Sequence, residues 1–235
     1  MAGFDYIKSN YEALREELRL LALRLNRPEA TLVAVTKSGS DEELMAIAAL
    51  SGDIAENRPG ELVRRGALMR DAGYSPRLHQ IGSLQRNKVR LIIKDVFLIH
   101  SLDSLRLAKE IDKEAVKCGR RIPVLIEINS AREESKGGVL PEEAEEFFLS
   151  LRGLSGIAVS GIMTMGPADG TARECFRETK KIFDGIQARY GFDTDEPILS
   201  MGMSDSYVEA IEEGATMVRI GHRLFTKNEG EQGNV

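Results

Sequence analysis

Lys37 closes the apolar run LVAVTK at 32–37, which puts a primary amine at the end of a segment built to be buried. A lysine with the reference pKa of ~10.4 is neutral only about once in 2,500 at pH 7, so a nucleophilic amine needs a low-dielectric or cation-rich setting. The inner end of a strand in an α/β barrel supplies such a setting. Position alone favours a lysine that snorkels from a strand terminus. Far along the chain, SMGMS at 200–204 and VRIG at 218–221 have the composition of an anion cradle. Ser200 and Ser204 offer hydroxyls, while Gly202 and Gly221 let backbone approach an anion closely. A helix expected to start near 204–205 would point its N-terminus at the same region. Ser204 as the N-cap of that helix fits either reading.

These residues depend on the elements that carry them. The segment 5–25 reads as a helix, with Leu14, Leu18, Leu21 and Leu25 recurring at three- and four-residue steps. After it, β-rich runs at 32–37, 53–57, 77–82, 96–101, 123–129, 158–165, 198–201 and 217–221 alternate with helical patterns at 41–51, 59–72, 85–94, 103–119, 141–152, 171–190 and 205–213. Strands separated by helices are parallel, because each crossover needs a dozen or more residues to bring the chain back. Eight such units in 235 residues, with no visible second domain, predict a (β/α)8 TIM barrel with an additional N-terminal helix. The expected organisation is a helix over 1–30 packed on the barrel, the barrel over 31–225, and a polar tail over 226–235 that is disordered. Little chain follows the eighth strand, so the N-terminal helix is expected to cover the place of a full eighth helix. The site then lies at the carboxyl ends of the strands, where Lys37, Asn57, Ser200, Arg219 and Gly221 fall. A lysine opposite a phosphate cradle suits a phosphorylated aldehyde or ketone, hence pyridoxal phosphate (PLP) or the sugar phosphate of a Schiff-base aldolase.

A net charge of −5 argues against nucleic acid or an anionic membrane as the main partner, since phosphate backbones require clustered Lys and Arg. The N-terminus has no apolar stretch of signal-peptide type, and no run approaches the ~20 residues that span a bilayer. Cys118 and Cys175 lie far apart and read as two free thiols. A cytoplasmic protein is expected. Three histidines and two distant cysteines make a metal site unexpected. His79, in the third strand, turns either toward the cavity or into the core as a hydrogen-bonded histidine; His100 reads as structural. Lys136 lies in the loop after the fifth strand, either as a solvated loop lysine or as a second amine on the face of Lys37.

VAVTK, AEN, HQIGSLQRNK at 79–88, IHSLDS at 99–104, ESKGG at 134–138, GIMTMG at 161–166, LSMGMSDSYVEAI at 199–211 and GATMVRIG at 214–221 together resemble the pyridoxal phosphate homeostasis proteins. The matches keep their order over about residues 31 to 221. The resemblance implies a fold similar to the barrel domain of alanine racemase, with PLP on Lys37. It implies that Asn57 borders the cofactor, that Ser200, Met201 and Gly221 with its neighbour hold ring and phosphate, and that Arg219 faces the pyridine nitrogen. Gly202, Ser204 and His79 complete the candidate cofactor residues. His222 stands where the family carries a small hydroxyl residue, and its imidazole or backbone N–H is expected to meet the phosphate. The family's loop after the second strand also differs here, where RPGEL follows Glu56-Asn57.

An arginine at the pyridine nitrogen cannot act as the proton partner that a carboxylate would be, so the ring is a weaker electron sink. Transamination and decarboxylation become unexpected. Racemisation needs a second base on the opposite face, which a second domain would bring and for which this chain has no room. The resemblance implies storage, delivery or homeostasis of PLP, with apo-PLP enzymes as recipients and the protein a monomer or weak dimer. An amino-acid racemase and an aldolase without PLP remain the alternatives.

Overall fold

Alternating strand residues divide between two apolar layers. In the first strand Leu32 and Ala34 face the helices, whereas Val33 and Val35 face the barrel axis. A strand buried on both faces belongs inside a parallel sheet. The computed structural model describes residues 3–133, 137–167 and 171–227. It is a closed barrel in which each strand pairs with the next and the eighth returns to the first. The strands are β1 (Thr31–Val35), β2 (Asp53–Glu56), β3 (Arg77–Gln80), β4 (Leu98–Leu102), β5 (Ile122–Ile128), β6 (Ile157–Thr164), β7 (Ile198–Ser200) and β8 (Met217–Ile220). All the pairings are parallel.

The outer layer comprises α1 (Asp5–Leu25), α2 (Asp41–Ala48), α3 (Pro59–Asp71), α4 (Val89–Ile92), α5 (Leu105–Lys117), α6 (Ala144–Ser150), α7 (Ala172–Tyr190), α8 (Tyr207–Glu212) and α9 (His222–Phe225). The expected TIM barrel with an extra N-terminal helix is therefore the observed fold. Several helices are shorter than their sequence patterns; the one expected to start near 204–205 begins at Tyr207, with Ser206 rather than Ser204 at its N-cap. The patterns at 85–94 and 141–152 begin as tight 3-10 turns, Arg86–Lys88 and Pro141–Glu143, before α4 and α6. Pro141 has no N–H to give and sits at the first helical position, where none is needed.

Four residues make α9 too short to cover its side of the barrel, and α1 packs there instead. Ile7, Leu14, Leu18 and Leu21 are its buried stripe. Asn10 Nδ2 donates to the carbonyls of Leu224 (3.2 Å) and Thr226 (2.9 Å), closing acceptors that the end of α9 leaves open. Glu17 pairs with Arg223 at 2.9 Å and accepts from the Tyr207 hydroxyl, which joins α1 to α8 and α9. Among the described residues no helix is long and apolar enough to cross a membrane.

Inside the barrel, Val33, Val35, Ala55, Leu98, Leu125, Met163 and Met217 form a small apolar cluster. The same parity that turns Leu78, Ile99, Ile126, Leu199 and Val218 outward turns His79, His100, Glu127, Ser200 and Arg219 toward the axis. The core of this barrel is thus partly polar, and its polar residues are the ones that bear on the site.

Candidate functional site

All eight strands contribute, at or just past their carboxyl ends, to one cavity of about 550 Å³. Lys37 reaches it from the turn after β1 and Asn57 from the end of β2. Asp103 and Glu127 line it from β4 and β5, and Met165 from β6. The β7–α8 loop adds Met203, Ser204 and Asp205; β8 and its end add Arg219, Gly221 and His222. A larger open groove of about 720 Å³, bordered by Gln85, Arg86, Arg106 and Glu110, shares Asp103 with this cavity but has no lysine or anion cradle.

Lys37 is exposed in a turn two residues beyond Val35, the end of the strand. A buried network holds this turn. Arg65, from α3, donates to the carbonyls of Thr36 and Gly39 (2.7 Å for the latter) and to Glu56 at 2.8 Å. The Thr36 hydroxyl donates to the same Glu56 oxygen at 2.5 Å. The residues on either side of the lysine are thereby fixed from below while its amine stays free to face the cavity.

The β7–α8 loop needs its glycine. Gly202 has φ of 93°, in the left-handed region, and a Cβ there would lie 2.6 Å from that of Ala210. Past this bend the N–H groups of Ser204 and Asp205 make no hydrogen bond among the described residues, although Met203 N–H is taken by the Ser206 hydroxyl at 3.3 Å. Gly82 serves a different close approach: a Cβ there would sit 2.3 Å from the Asn57 carbonyl oxygen, so the segment just after β3 passes against the residue that borders the cavity.

Lys37, Asn57, Ser204, Arg219, Gly221 and His222 are thus brought to one wall-lined space. His79, Ser200, Met201 and Gly202 are not on it; each is buried beneath. His79 adopts the core alternative, hydrogen-bonded to His100 and Asp53. Ser200 accepts from Arg219 Nη1 at 2.7 Å and meets His100 Nδ1 at 3.1 Å. His222 is exposed at the rim, with Nε2 3.5 Å from the Thr226 hydroxyl. Lys136 and the tail beyond 227 lie outside the described residues.

Arg219 is the cation at the base of the cavity. Only 4% exposed, it also donates through Nη2 to the Thr164 carbonyl at 3.0 Å. Burial lowers its pKa to about 10, against which Glu127 acts, so the guanidinium remains charged at neutral pH. Glu127 went unrecognised in the sequence, although Val124, Ile126 and Ile128 facing outward in PVLIEIN imply that it faces in. Burial raises its pKa to about 7; Asp103 adds to the rise and Arg219 opposes it. Glu127 and Arg219 form no direct ion pair, and the Glu127 carboxyl has no hydrogen bond among the described residues.

This has a stability consequence. Between the usual glutamate range near 4.5 and about 7, the folded protein binds the Glu127 proton and the unfolded chain does not, so folding stability falls as pH rises through that window. The rise from 4.5 to about 7 corresponds to roughly 3 kcal/mol once pH is well above 7. Glu127→Gln is therefore expected to match wild type at pH 4.5 and exceed it by about that amount at pH 8. Urea unfolding at the two pH values checks this; a gap independent of pH would mean that Glu127 is charged in the native barrel.

A (β/α)8 barrel with a lysine and a buried arginine on one carboxyl-end cavity defines a class of small-ligand barrel proteins. The chain belongs to the family described as alanine racemase, N-terminal domain, whose model matches residues 9–229, and within it to the pyridoxal phosphate homeostasis proteins. The pyridoxal phosphate homeostasis protein of Aquifex aeolicus is 43% identical over 173 residues, covering 72% of this chain and 74% of the relative. That of Escherichia coli is 33% identical over 227 residues, covering 93% and 95%. Among solved structures, PipY of Synechococcus elongatus with PLP bound superposes with a TM-score of 0.76 at 29% identity, covering 88% of this chain and 98% of PipY. Alanine racemase from Corynebacterium glutamicum shares the fold, with a TM-score of 0.74 at 18% identity over 98% of this chain and 63% of its own.

Proposed function

We propose that this protein binds PLP as a Schiff base on Lys37 and serves in holding and delivering the cofactor inside the cell, without turnover of its own. The observation that carries the reading is the shared cavity of Lys37 and Arg219, with unpaired loop N–H groups on the same wall. The residues fit the group. A primary amine, a hydroxyl at Ser204, two free N–H groups and a guanidinium match an aldehyde, a phosphate and a ring nitrogen, while Val35, Ile81, Met165 and Met203 supply apolar walls. When bound, PLP supplies an aldehyde that a primary amine attacks. Lys37 offers that amine, Asn57 and Gly221 border the site, and the Ser204–Asp205 N–H groups with His222 hold the phosphate. Arg219, a donor only, keeps the ring nitrogen unprotonated.

Delivery to apo-PLP enzymes agrees with an exposed lysine that a competing amine can reach. The names of the curated relatives and the PLP-bound PipY structure support the same reading. The experiment is to add PLP, record the visible absorbance, reduce with borohydride and map the modified peptide. The label is expected on Lys37; a label on another lysine, or none with excess PLP, overturns the reading. A racemase reading finds one supporting observation, the cavity carboxyl of Glu127 with its pKa near 7. Isotope exchange at Cα of amino acids tests it directly.

A further inference from the structure

We propose that Asp53, His79, His100 and Ser200 form a one-way hydrogen-bond relay along the barrel axis whose purpose is to hold the Arg219 guanidinium in a single orientation on the cavity floor. The part concerning the cofactor ring rests on the PLP reading above. The relay itself does not.

The chain of contacts is continuous. Arg219 Nη1 lies 2.7 Å from Ser200 Oγ, which lies 3.1 Å from His100 Nδ1. His100 Nε2 is 3.0 Å from His79 Nδ1, and His79 Nε2 is 2.9 Å from Asp53 Oδ1. Asp53 Oδ2 accepts from Arg77 at 2.5 Å, beside the opposite mouth of the barrel. His79, His100 and Ser200 are fully buried, so water cannot complete an imperfect pattern.

Direction follows from which atoms can donate. Arginine has donors only, so Ser200 Oγ must accept at its Arg219 side. The single hydroxyl proton then goes to His100 Nδ1. His100 therefore carries its proton on Nε2 and gives it to His79 Nδ1, and His79 carries its proton on Nε2 and gives it to Asp53. Every donor and acceptor is used once. In the reverse direction Asp53 would have to be protonated, and Ser200 would receive two donors with no acceptor in the relay for its own proton. Burial lowers the pKa of both imidazoles, which keeps them neutral. Burial also works against an ionised Asp53, but hydrogen bonds from His79 and Arg77 outweigh it and hold the carboxyl below its usual range.

Two consequences follow. The Ser200 hydroxyl is spent on His100 and has no proton left for a phosphate. Arg219 is held from behind at Nη1 by Ser200 and at Nη2 by the Thr164 carbonyl, which leaves its remaining N–H groups for the cavity. The four relay residues are positioning residues, acting through Arg219.

Asp53→Asn tests the relay from its far end. Arg77 can only donate, so the asparagine oxygen stays on Arg77 and its NH₂ faces His79 Nε2, which must then accept. Each bond above it reverses, and both histidines move their proton to Nδ1. With three histidines in the chain, ring ¹⁵N NMR reads this on the cofactor-free protein. The expected result is Nε2–H on His79 and His100 in wild type and Nδ1–H on both in Asp53→Asn. A wild-type ring protonated on Nδ1, or an unchanged pattern in the variant, overturns the relay. Should Asp53→Asn not fold, Ser200→Ala serves: it is expected to keep Nε2–H on both rings while Arg219 Nε–H exchange speeds by about tenfold. Unchanged exchange there overturns the positioning role. The visible band with PLP added is read separately, so a failed PLP reading leaves the tautomer result standing.

Discussion

Lys37→Ala is expected to remove every trace of borohydride-stable label from this site and to leave the protein colourless with PLP. The wild-type chain has one lysine on the cavity wall among the described residues. Removing its amine leaves, among the described residues, no primary amine there to hold an aldehyde. The loop N–H groups beyond Gly202, Ser204 and Arg219 remain, so noncovalent affinity for the phosphate persists while total retention falls by roughly 100-fold or more, about 2.7 kcal/mol. Lys37→Arg separates charge from chemistry: it restores a cation but not a nucleophile, and is expected to stay unlabelled. Both variants keep the fold, because Lys37 is exposed and makes no hydrogen bond that the barrel uses. Peptide mapping after reduction distinguishes the outcomes. A label that moves to another lysine at wild-type yield would show that the cavity amine is not the attachment point.

The fold was legible because the barrel repeats one simple pattern. Most strands are apolar runs bounded by polar or Gly-rich residues, the second (DIAE) and third (RLHQ) being partly polar, and each observed strand lies within two residues of its expected place. The carboxyl-end rule then located Lys37, Asn57, Ser204, Arg219, Gly221 and His222 together. What the sequence hid is contact between strands distant in the chain. His100 and Ser200 are separated by 100 residues and meet because the barrel closes, not because of any local spacing. Parity alone turned His79 inward, but whether inward meant the ligand or a partner imidazole depended on which side chains stood across the axis. Ser200, expected at the phosphate, is taken by His100 and Arg219 one layer down. Arg64 and Arg65 are indistinguishable in VRRG, yet one is a half-exposed partner of Asp41 and the other is buried under Lys37. Helical phase separates them only after the face of α3 against the barrel is known.

That buried arginine carries the second large effect. Arg65 and Glu56 have side chains 8% and 4% exposed and lie 2.8 Å apart. Breaking a buried pair at one end strands the other charge, which costs about 3–5 kcal/mol. Arg65→Met is therefore expected to lose about that much stability in urea unfolding at pH 7, a large share of the ~5–15 kcal/mol of an ordinary domain. The carbonyls of Thr36 and Gly39 lose their donors in the same step, so backbone amide exchange across 36–39 should rise more than elsewhere. The double variant Arg65→Met with Glu56→Leu removes the stranded carboxylate and is expected to recover part of the loss. Colour formation with PLP discriminates further. If the network exists to present Lys37, the double variant regains stability but still labels more slowly than wild type, because an apolar pair restores packing without gripping the two carbonyls that fix the turn. Full recovery of both together would make Arg65 a packing residue, and the presentation of Lys37 would then rest on β1 alone.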